Sequence, residues 1–410
     1  MTRMSTALIG GARTAGRQLY RWTAAGSLSA AYTGIWVSTL GLTVLGCLMV
    51  LSASSVEQIS RGISPFVLFS RQVAFAVIGM ALMFAAARVP LSFWKNRRVV
   101  MAAMLFSLLL LGLVLTPLGV EIYGNRNWLS LGGFQFQPSE FAKLSLVVWA
   151  AWGLAKNHDV ASSSRQALMP SAYGFLLISG LVMFGGDAGT AIVFVLIYGG
   201  ALWFARAPRK IFTLTALAGF VVSLLIIAVS PTRIQRVIGW LVPSQCGAAD
   251  QCFQSNAGLA ALASGSWWGL GLGQSRQKYN YLPEAHNDFI FAILGEELGF
   301  IGAMVVILLY AVFALSLARV ILRSSDQFVR IATGGILAWF IGQAFVNIGM
   351  VTGLLPVIGI PLPFISYGGT SLTVCLMAAG FAMALARSTP THPAIELSVL
   401  EEPEPHAARG

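Results

Sequence analysis

Acidic side chains are scarce in this chain and cluster in one short segment. The 410 residues include only 15 Asp and Glu. The segment LPEAHNDFIFAILGEELGF carries five ionisable side chains: Glu284, His286, Asp288, Glu296 and Glu297. Asp288 is the last polar residue before the apolar run FIFAIL, and partial loss of water at such a boundary makes a carboxylate a better proton acceptor. The segment predicts a general base at Asp288; the alternative is that Asp288 or Asn287 only caps the next helix.

The same segment can present its acids on one side. If the chain is helical from Pro283, Glu284 and Asp288 stand four residues apart and share a face. Other mechanisms lack their motifs, because the sequence has no G-x-x-x-x-G-K-[ST] phosphate loop and no H-E-x-x-H zinc motif. No serine–histidine pair stands out either. Acid–base chemistry remains, and it suits a hydroxyl that attacks an amphiphilic, anionic, lipid-linked substrate.

A second pair of charges lies within an apolar segment. Glu140 and Lys143 stand three apart in QPSEFAKLSLVVWAAW, on one face of a helix that Pro138 can begin. An ionisable side chain in hydrocarbon is costly and indicates a site by default. Either the pair only holds helices together, or Lys143 offers positive charge to an anionic ligand while Glu140 holds it in place.

Further polar residues flank the apolar segments. Arg71 begins one of them, and Arg126 follows the turn sequence YGN. Asp187 in GGDAGT either belongs to a site or caps the next helix. Gln343 and Asn347 lie four apart and can form hydrogen bonds between helices. The stretch from Gly353 to Gly369 has three prolines and four glycines, so we expect broken backbone that walls a cleft.

The elements that must position these residues are membrane-spanning helices. The composition is 57% hydrophobic and 10% charged, with a mean hydropathy of +0.77, whereas soluble domains carry about 25% charged residues. Apolar runs of this length are typical of helices that cross about 30 Å of hydrocarbon, not of the alternating strands of a barrel. The fold class expected is an all-α polytopic membrane protein.

Hydropathy predicts ten spans with both termini on the cytoplasmic side. The spans are 32–52, 72–90, 99–118, 138–155, 168–186, 188–205, 210–230, 297–318, 329–351 and 366–386. With this orientation, 18 of the 26 Lys and Arg lie on the inner side, in agreement with the positive-inside rule. The membrane domain is then 32–388, between a basic cytoplasmic leader (1–31) and a disordered cytoplasmic tail (389–410).

One long loop, 231–296, is expected on the outer side between spans seven and eight, and loops of this length are usually functional. On the oxidising side Cys246 and Cys252 can form a disulfide, or remain two free thiols. The net charge of +11 is attributed to cationic loops that face anionic membrane lipids and not to nucleic-acid binding.

Three segments resemble the signature regions of a known family. They are GNRNWLSLGGFQFQPSEFAKLSL, LPEAHNDFIFAILGEELGFIG and GLLPVIGIPLPFISYGGTSL. In this order, and with ten spans, they resemble the SEDS family, which comprises FtsW, RodA and a sporulation homologue. The resemblance covers roughly residues 32–388. Ala285 and the sequence around it resemble the division-type branch more than the elongation-type branch.

The resemblance implies a glycosyltransferase that polymerises lipid II into peptidoglycan at the outer face of the cytoplasmic membrane. Asp288 matches the essential aspartate, which acts as general base on the acceptor hydroxyl, with inversion and release of undecaprenyl pyrophosphate. Substrate contacts are expected from the motif residues Glu284, His286 and Glu140. Positive charge for the pyrophosphate is expected from Arg71, Lys143, Arg126 or a divalent cation. The chain departs from the family in placing Asn127, not arginine, directly before Trp128.

The resemblance also implies partners and rival functions. The expected partners are a class B penicillin-binding transpeptidase and other division proteins, at the division septum. The rivals are a flippase that moves lipid II across the bilayer, an elongation-type polymerase, and a structural scaffold that only recruits a transpeptidase. A flippase or a scaffold would tolerate replacement of Asp288, whereas a polymerase would not.

Overall fold

The computed structural model describes residues 28–122, 125–131, 134–156, 165–217, 219, 231–242, 251–279, 282 and 285–389. Most of the predicted leader, nearly all of the predicted tail, Glu284 and Cys246 lie outside these ranges. Cys252 lies in a described helix, but its side chain is not described, so the Cys246–Cys252 disulfide stays a prediction.

The described chain is mainly helical, and its helices are numbered in chain order. They are α1 Leu28–Ser60, α2 Phe66–Arg88, α3 Leu91–Lys95, α4 Arg97–Val114, α5 Pro138–Ala155, α6 Arg165–Phe184, α7 Ala188–Phe204, α8 Pro231–Leu241, α9 Gln251–Gly265, α10 Ile290–Arg323, α11 Gln327–Val351 and α12 Gly369–Ser388. Residues 209–217 are also helical.

Nine of the ten predicted spans overlap these helices, although several bounds differ. In the described residues, six helices are long and apolar enough to cross a membrane: α1, α2, α4, α10, α11 and α12. Two shorter apolar helices correspond to α6 and α7, and α5 matches the predicted span that contains the Glu140–Lys143 pair. The remaining span, 210–230, only begins within the described ranges. The helical membrane class is confirmed, and the number of ten spans stays a prediction.

Small residues let the helices meet closely. α12 packs along α2, where a Cβ on Gly380 would stand 2.1 Å from the carbonyl oxygen of Met83, so only glycine permits this approach. Two helices have a side-chain cap for a backbone N–H group of their first turn. The side chain of Asn96 accepts from Arg98 N, and that of Asp326 accepts from Phe328 N.

A three-stranded antiparallel sheet is the exception to the helical pattern. Its strands are β1 Gly119–Ile122, β2 Asn125–Leu131 and β3 Phe134–Phe136, in the order β1-β2-β3. Trp128 pairs with Val120, and Leu129 pairs with Phe136. Leu129 is buried, whereas Trp128 and Ser130 on either side of it are partly exposed, as expected when neighbouring strand residues point to opposite faces. The sheet links α4 to α5.

Helix α10 begins at Ile290, not at 297 as hydropathy indicates, and it bends within its first turns. Gly299 has φ 68 and ψ −168. This conformation lies outside the helical region, and glycine adopts it more readily than any other residue. The backbone groups released by the bend are used by the segment 266–271: Phe300 N donates to Ser266 O (2.9 Å), and Leu270 N donates to Glu296 O (3.0 Å). The helix can therefore start early because the preceding loop completes its hydrogen bonds.

The molecule has two opposite faces. We call one the basic face; it carries Arg88, Lys95, Arg97, Arg98, Arg206, Arg209, Lys210, Arg319, Arg323, Arg330 and Arg387. Lys95 forms an ion pair with Asp326 there, and Arg387 donates to the carbonyl oxygen of Arg88. The opposite face, called the site face, holds the sheet, α8, α9 and the start of α10. The polar residues singled out by sequence now fall mostly on the site face.

Candidate active site

Asp288 lies in the turn 285–289, directly before α10, and its side chain is partly exposed. The turn is not helical, so the predicted helical face from Pro283 is absent at the described residues 285–289. The backbone of the turn is held by hydrogen bonds from neighbouring elements. The carbonyl oxygen of Asp288 accepts from Asn347 Nδ2 at 2.8 Å, and the same nitrogen donates to Ile360 O at 2.7 Å.

The loop 352–368, which connects α11 to α12, holds the two residues before Asp288. Ser366 Oγ donates to Asn287 O at 2.7 Å, and Tyr367 N donates to His286 O at 2.9 Å. The carbonyl groups of three consecutive residues of the turn thus accept hydrogen bonds from α11 and from the loop that follows it. The broken backbone predicted between Gly353 and Gly369 is observed, and it forms a wall beside Asp288.

Among the described residues, Gln343 and Asn347 do not form the predicted hydrogen bonds between helices, because the loop after α11 and the turn of Asp288 supply the acceptors instead. Gln343 Nε2 donates to Pro361 O at 2.7 Å, and Gln343 Oε1 accepts from Trp339 Nε1 at 2.9 Å. Both Gln343 and Asn347 are fully buried. They join α11 to the loop, and only Asn347 also reaches the turn of Asp288.

Replacing Asn347 by leucine should lower turnover while the protein stays folded. The change leaves the carbonyl groups of Asp288 and Ile360 without their donor, which costs about 1–3 kcal/mol of stability and lets the turn move. We expect kcat for the reaction of this site to fall about tenfold or more. Gln343→Leu is the matched control, since it removes a hydrogen bond to the same loop without touching the turn. Equal losses of turnover in both variants would contradict a specific role for Asn347.

The side chain of Asp288 is close to Gly359. A Cβ on Gly359 would stand 3.2 Å from Asp288 Oδ2, and this glycine has φ 77. Asp187 lies nearby at the start of α7, where it accepts from Thr190 N at 2.9 Å and from Thr190 Oγ1 at 2.8 Å. Asn127 and Gln137 also donate to Asp187, at 3.1 and 3.0 Å. Asp187 therefore caps a helix, the structural alternative noted above.

Two arginines of α8 were not singled out by the sequence analysis. Arg233 Nη2 donates to Gly186 O at 2.7 Å, and Trp240 Nε1 donates to Gly353 O at 2.9 Å, so α8 is fastened across the site. Burial lowers the pKa of Arg236, the negative charge of Asp288 raises it, and Arg233 lowers it further. The charges of Asp288 and Arg236 therefore interact. The signal in the sequence was the spacing of three between the arginines on an amphipathic helix.

The predicted cations take different positions. Arg71 is exposed on the site face. Arg126 donates to two backbone carbonyls, Thr116 O at 2.8 Å and Gly119 O at 3.4 Å, and so holds the turn before β1. Lys143 is buried with 1% of its surface exposed, and its Nζ lies 2.7 Å from Glu140 Oε1.

The Glu140–Lys143 pair lies inside the helix bundle. Ser371 Oγ donates to Glu140 Oε2 at 3.1 Å, and Lys143 Nζ lies 5.7 Å from the ring centre of Trp339. The pair therefore joins α5 to α11 and α12. This arrangement satisfies both charges, as the structural alternative requires.

His286 connects the turn to the end of α1. Its Nδ1 lies 3.4 Å from Glu57 Oε2, and Glu57 Oε1 lies 2.6 Å from Arg61. The ring of His286 also meets that of Tyr367 edge to face, with centres 5.6 Å apart. Among the residues that the structure describes, no group of three or more His, Cys, Asp or Glu is placed to hold a metal ion.

A second buried charge cluster fastens the preceding loop to α10. Lys278 Nζ lies 3.0 Å from Glu297 Oε1, and Ser52 Oγ donates to both oxygens of Glu297 at 2.6 and 2.7 Å. Glu296 accepts from Ser275 Oγ at 2.5 Å and from Arg276 N at 3.0 Å. Both carboxylates are fully buried. The two glutamates of the acidic segment are thus structural, and they hold the loop that leads to Asp288.

The sequence matches a family model and resembles proteins of other bacteria. The family model described as "Cell cycle protein", for FtsW, RodA and SpoVE, matches residues 33–391. A relative in Mycobacterium tuberculosis, named probable peptidoglycan glycosyltransferase FtsW, is 41% identical over 351 residues. That match covers 85% of this chain and 66% of the relative, so this chain spans less than two thirds of the mycobacterial protein. Stage V sporulation protein E of Bacillus subtilis is 38% identical over 366 residues, 86% of this chain and 95% of the relative.

Solved structures have the same fold. A chain of a peptidoglycan synthase complex, described in terms of coordinated polymerization and crosslinking, superposes with a TM-score of 0.70 at 26% identity. The match covers 88% of this chain and 98% of the other. The rod shape determining protein RodA of Thermus thermophilus superposes with a TM-score of 0.61 at 26% identity, over 87% and 96% of the two chains.

Proposed function

Because this chain belongs to the FtsW, RodA and SpoVE family of cell cycle proteins, we propose that it is a peptidoglycan glycosyltransferase with lipid II as substrate. The observation that carries the proposal is the position of Asp288. It is a partly exposed carboxylate in a turn whose carbonyl groups accept three hydrogen bonds, and its charge interacts with that of Arg236 on α8. A base must be both accessible and fixed to act in this way.

In the proposed reaction Asp288 takes the proton of a hydroxyl group on the acceptor sugar. The oxygen then forms the new glycosidic bond at the anomeric carbon of the donor, on the face opposite the leaving group. The bond to the diphosphate breaks, its electron pair leaves with undecaprenyl diphosphate, and the configuration is inverted. We assign to Arg236, and to Arg233 one turn before it on α8, the stabilisation of the negative charge that develops on the diphosphate.

The proposed orientation follows from the two faces. Lipid II is polymerised outside the cytoplasmic membrane, so the site face is the outer face and the basic face is cytoplasmic, in line with the positive-inside rule. Relatives named FtsW and the sequence around Ala285 favour a division role at the septum over the elongation role. The structural neighbour from a peptidoglycan synthase complex supports a class B penicillin-binding transpeptidase as partner.

The test of the proposal is polymerisation by the purified chain. Supplied with lipid II in detergent or liposomes, with and without the partner, the chain should produce glycan strands that a gel resolves by length. Movement of lipid II between leaflets without any strands would instead support the flippase. An inactive chain that still restores synthesis by another polymerase would support the scaffold.

Replacing Arg236 by glutamine should weaken catalysis by about tenfold to a hundredfold. The positive charge beside Asp288 would be lost, and with it the stabilisation of the diphosphate in the transition state. Arg236→Lys should recover part of the rate because it keeps the charge. The matched control is Arg276→Gln on the same face, whose side chain is exposed. Steady-state rates of glycan synthesis measure all three, and an unchanged rate for Arg236→Gln would remove Arg236 from the mechanism.

A further inference from the structure

An apolar cavity of about 350 Å³ opens between α7, the helical segment 209–217 and α11. It lies near the basic face, on the opposite side of the molecule from Asp288. The side chains that line it are apolar apart from Thr215, and they include Val195, Trp203, Phe212 and Ala338. Gly199 adds to its width, since a Cβ on this glycine would meet nothing within 4 Å. A cavity with such walls suits a hydrocarbon chain.

The cavity faces the lipid side of the molecule. Trp203, which lines it, is exposed by 66%. Exposed apolar side chains at this level of a spanning helix contact lipid, and tryptophan is enriched where hydrocarbon meets the headgroups. An occupant can therefore enter from the bilayer.

Two arginines stand at the basic end of the same helices. Arg206 follows α7 directly, and its φ of 58 is unusual for a residue other than glycine. Arg330 lies on α11 one turn before Gly334, and Gly334 packs against the ring of Phe204. Arg206 and Arg330 therefore flank the contact between Phe204 and Gly334, which places two positive charges at the same end of α7 and α11. Two like charges at one end of neighbouring helices favour an anion there.

The hydrogen-bonding capacity of Arg330 is also incomplete. Its Nε is buried and has no hydrogen-bond partner among the described residues. Buried donors normally have a partner, and the exceptions need an explanation. A phosphate oxygen would provide both the acceptor and the negative charge.

We propose that these features form a binding site for an anionic glycerophospholipid of the leaflet at the basic face. One acyl chain occupies the cavity, and the phosphate lies between Arg206 and Arg330. Basic pockets between spanning helices bind anionic headgroups in this way. The site is independent of the proposed glycosyl transfer, because neither the cavity nor the arginines contact the residues around Asp288.

The test measures lipid bound to the full-length purified protein. The probes are phosphatidylglycerol, phosphatidylcholine with the same acyl chains, and glycerol phosphate, each titrated and counted by native mass spectrometry. The variants are Arg206→Gln, Arg330→Gln and the cavity-filling Gly199→Leu. The control is Arg209→Gln, which removes an exposed charge from the same face. Circular dichroism and the thermal unfolding midpoint show that each variant is folded.

Phosphatidylglycerol should bind more tightly than phosphatidylcholine to the wild type and to Arg209→Gln. Each of the two site arginines should contribute about fivefold to the affinity, and Gly199→Leu should displace the lipid although it changes no charge. Equal binding of the two lipids, or equal losses in Arg209→Gln and Arg330→Gln, would overturn the proposal. Competition by glycerol phosphate as effective as by the lipid, with Gly199→Leu unaffected, would also overturn it by showing a site for free phosphate. None of these readouts depends on polymerisation.

Discussion

The variant Asp288→Asn should synthesise glycan up to about 10⁴-fold more slowly than the wild type, while it remains folded. Asparagine keeps the size of the side chain and cannot accept the proton of the attacking hydroxyl. The backbone hydrogen bonds that hold the turn come from Asn347, Ser366 and Tyr367 to carbonyl groups, so they survive the change. The measurement is the amount and length of glycan made from lipid II by equal amounts of protein.

The control for Asp288→Asn is Glu121→Gln, a change of the same kind at an exposed carboxylate in β1. Its rate and stability should stay near those of the wild type. Both variants should co-purify with the transpeptidase, which separates a loss of chemistry from a loss of assembly. Strands of normal amount and length from Asp288→Asn would refute the assignment of the base and restore the flippase and scaffold alternatives.

The variant Lys278→Met should lose about 3–5 kcal/mol of unfolding free energy. The change leaves the carboxylates of Glu296 and Glu297 buried without the ammonium that offsets their charge. Both are fully buried, so water cannot replace it. The midpoint of chemical or thermal unfolding in detergent measures the loss, and the loop 266–279 should become accessible to protease first.

A second change separates charge from packing at this cluster. In Lys278→Met/Glu297→Gln one of the two unpaired charges is removed, so part of the lost stability should return. Lys210→Met, at an exposed lysine on the basic face, should have an effect within about 0.5 kcal/mol. An unfolding midpoint for Lys278→Met equal to that of the wild type would show that the carboxylates are satisfied without the lysine.

The helices were predictable because hydropathy over some twenty residues depends only on local sequence. Asp288 was singled out for the same reason, as the last polar residue before an apolar run. Hydropathy placed the start of α10 at 297, seven residues too late, because Glu296 and Glu297 interrupt the apolar run that begins at Phe289. Their charges are satisfied by Ser52 and by the loop 275–278, and contacts between such distant parts of the chain leave no periodic signal.

Arg236, the turn 285–289 and the three strands were also missed, because they too depend on contacts between distant parts of the chain. The role proposed for Arg236 depends on the position of α8 across the loop beside Asp288, which Arg233 and Trp240 fix. The turn 285–289 is not helical because its carbonyl groups bond to other elements. The strands between α4 and α5 are short, and their pairing depends on neighbours across the sheet. In each case tertiary contacts override local preference.

The bend of α10 at Gly299 has a mechanical consequence. Beyond this residue the helix exposes Phe300, Met304 and Leu308 on its outer side, whereas before it the helix is buried beside the turn of Asp288. The segment 266–271 packs closely against this bend, and a Cβ at Gly299 would stand only 2.3 Å from Gly269 N. Because Phe300 N and Leu270 N bond across this contact, any change in the direction of α10 beyond Gly299 would also have to displace the segment 266–271, which belongs to the loop that leads to Asp288.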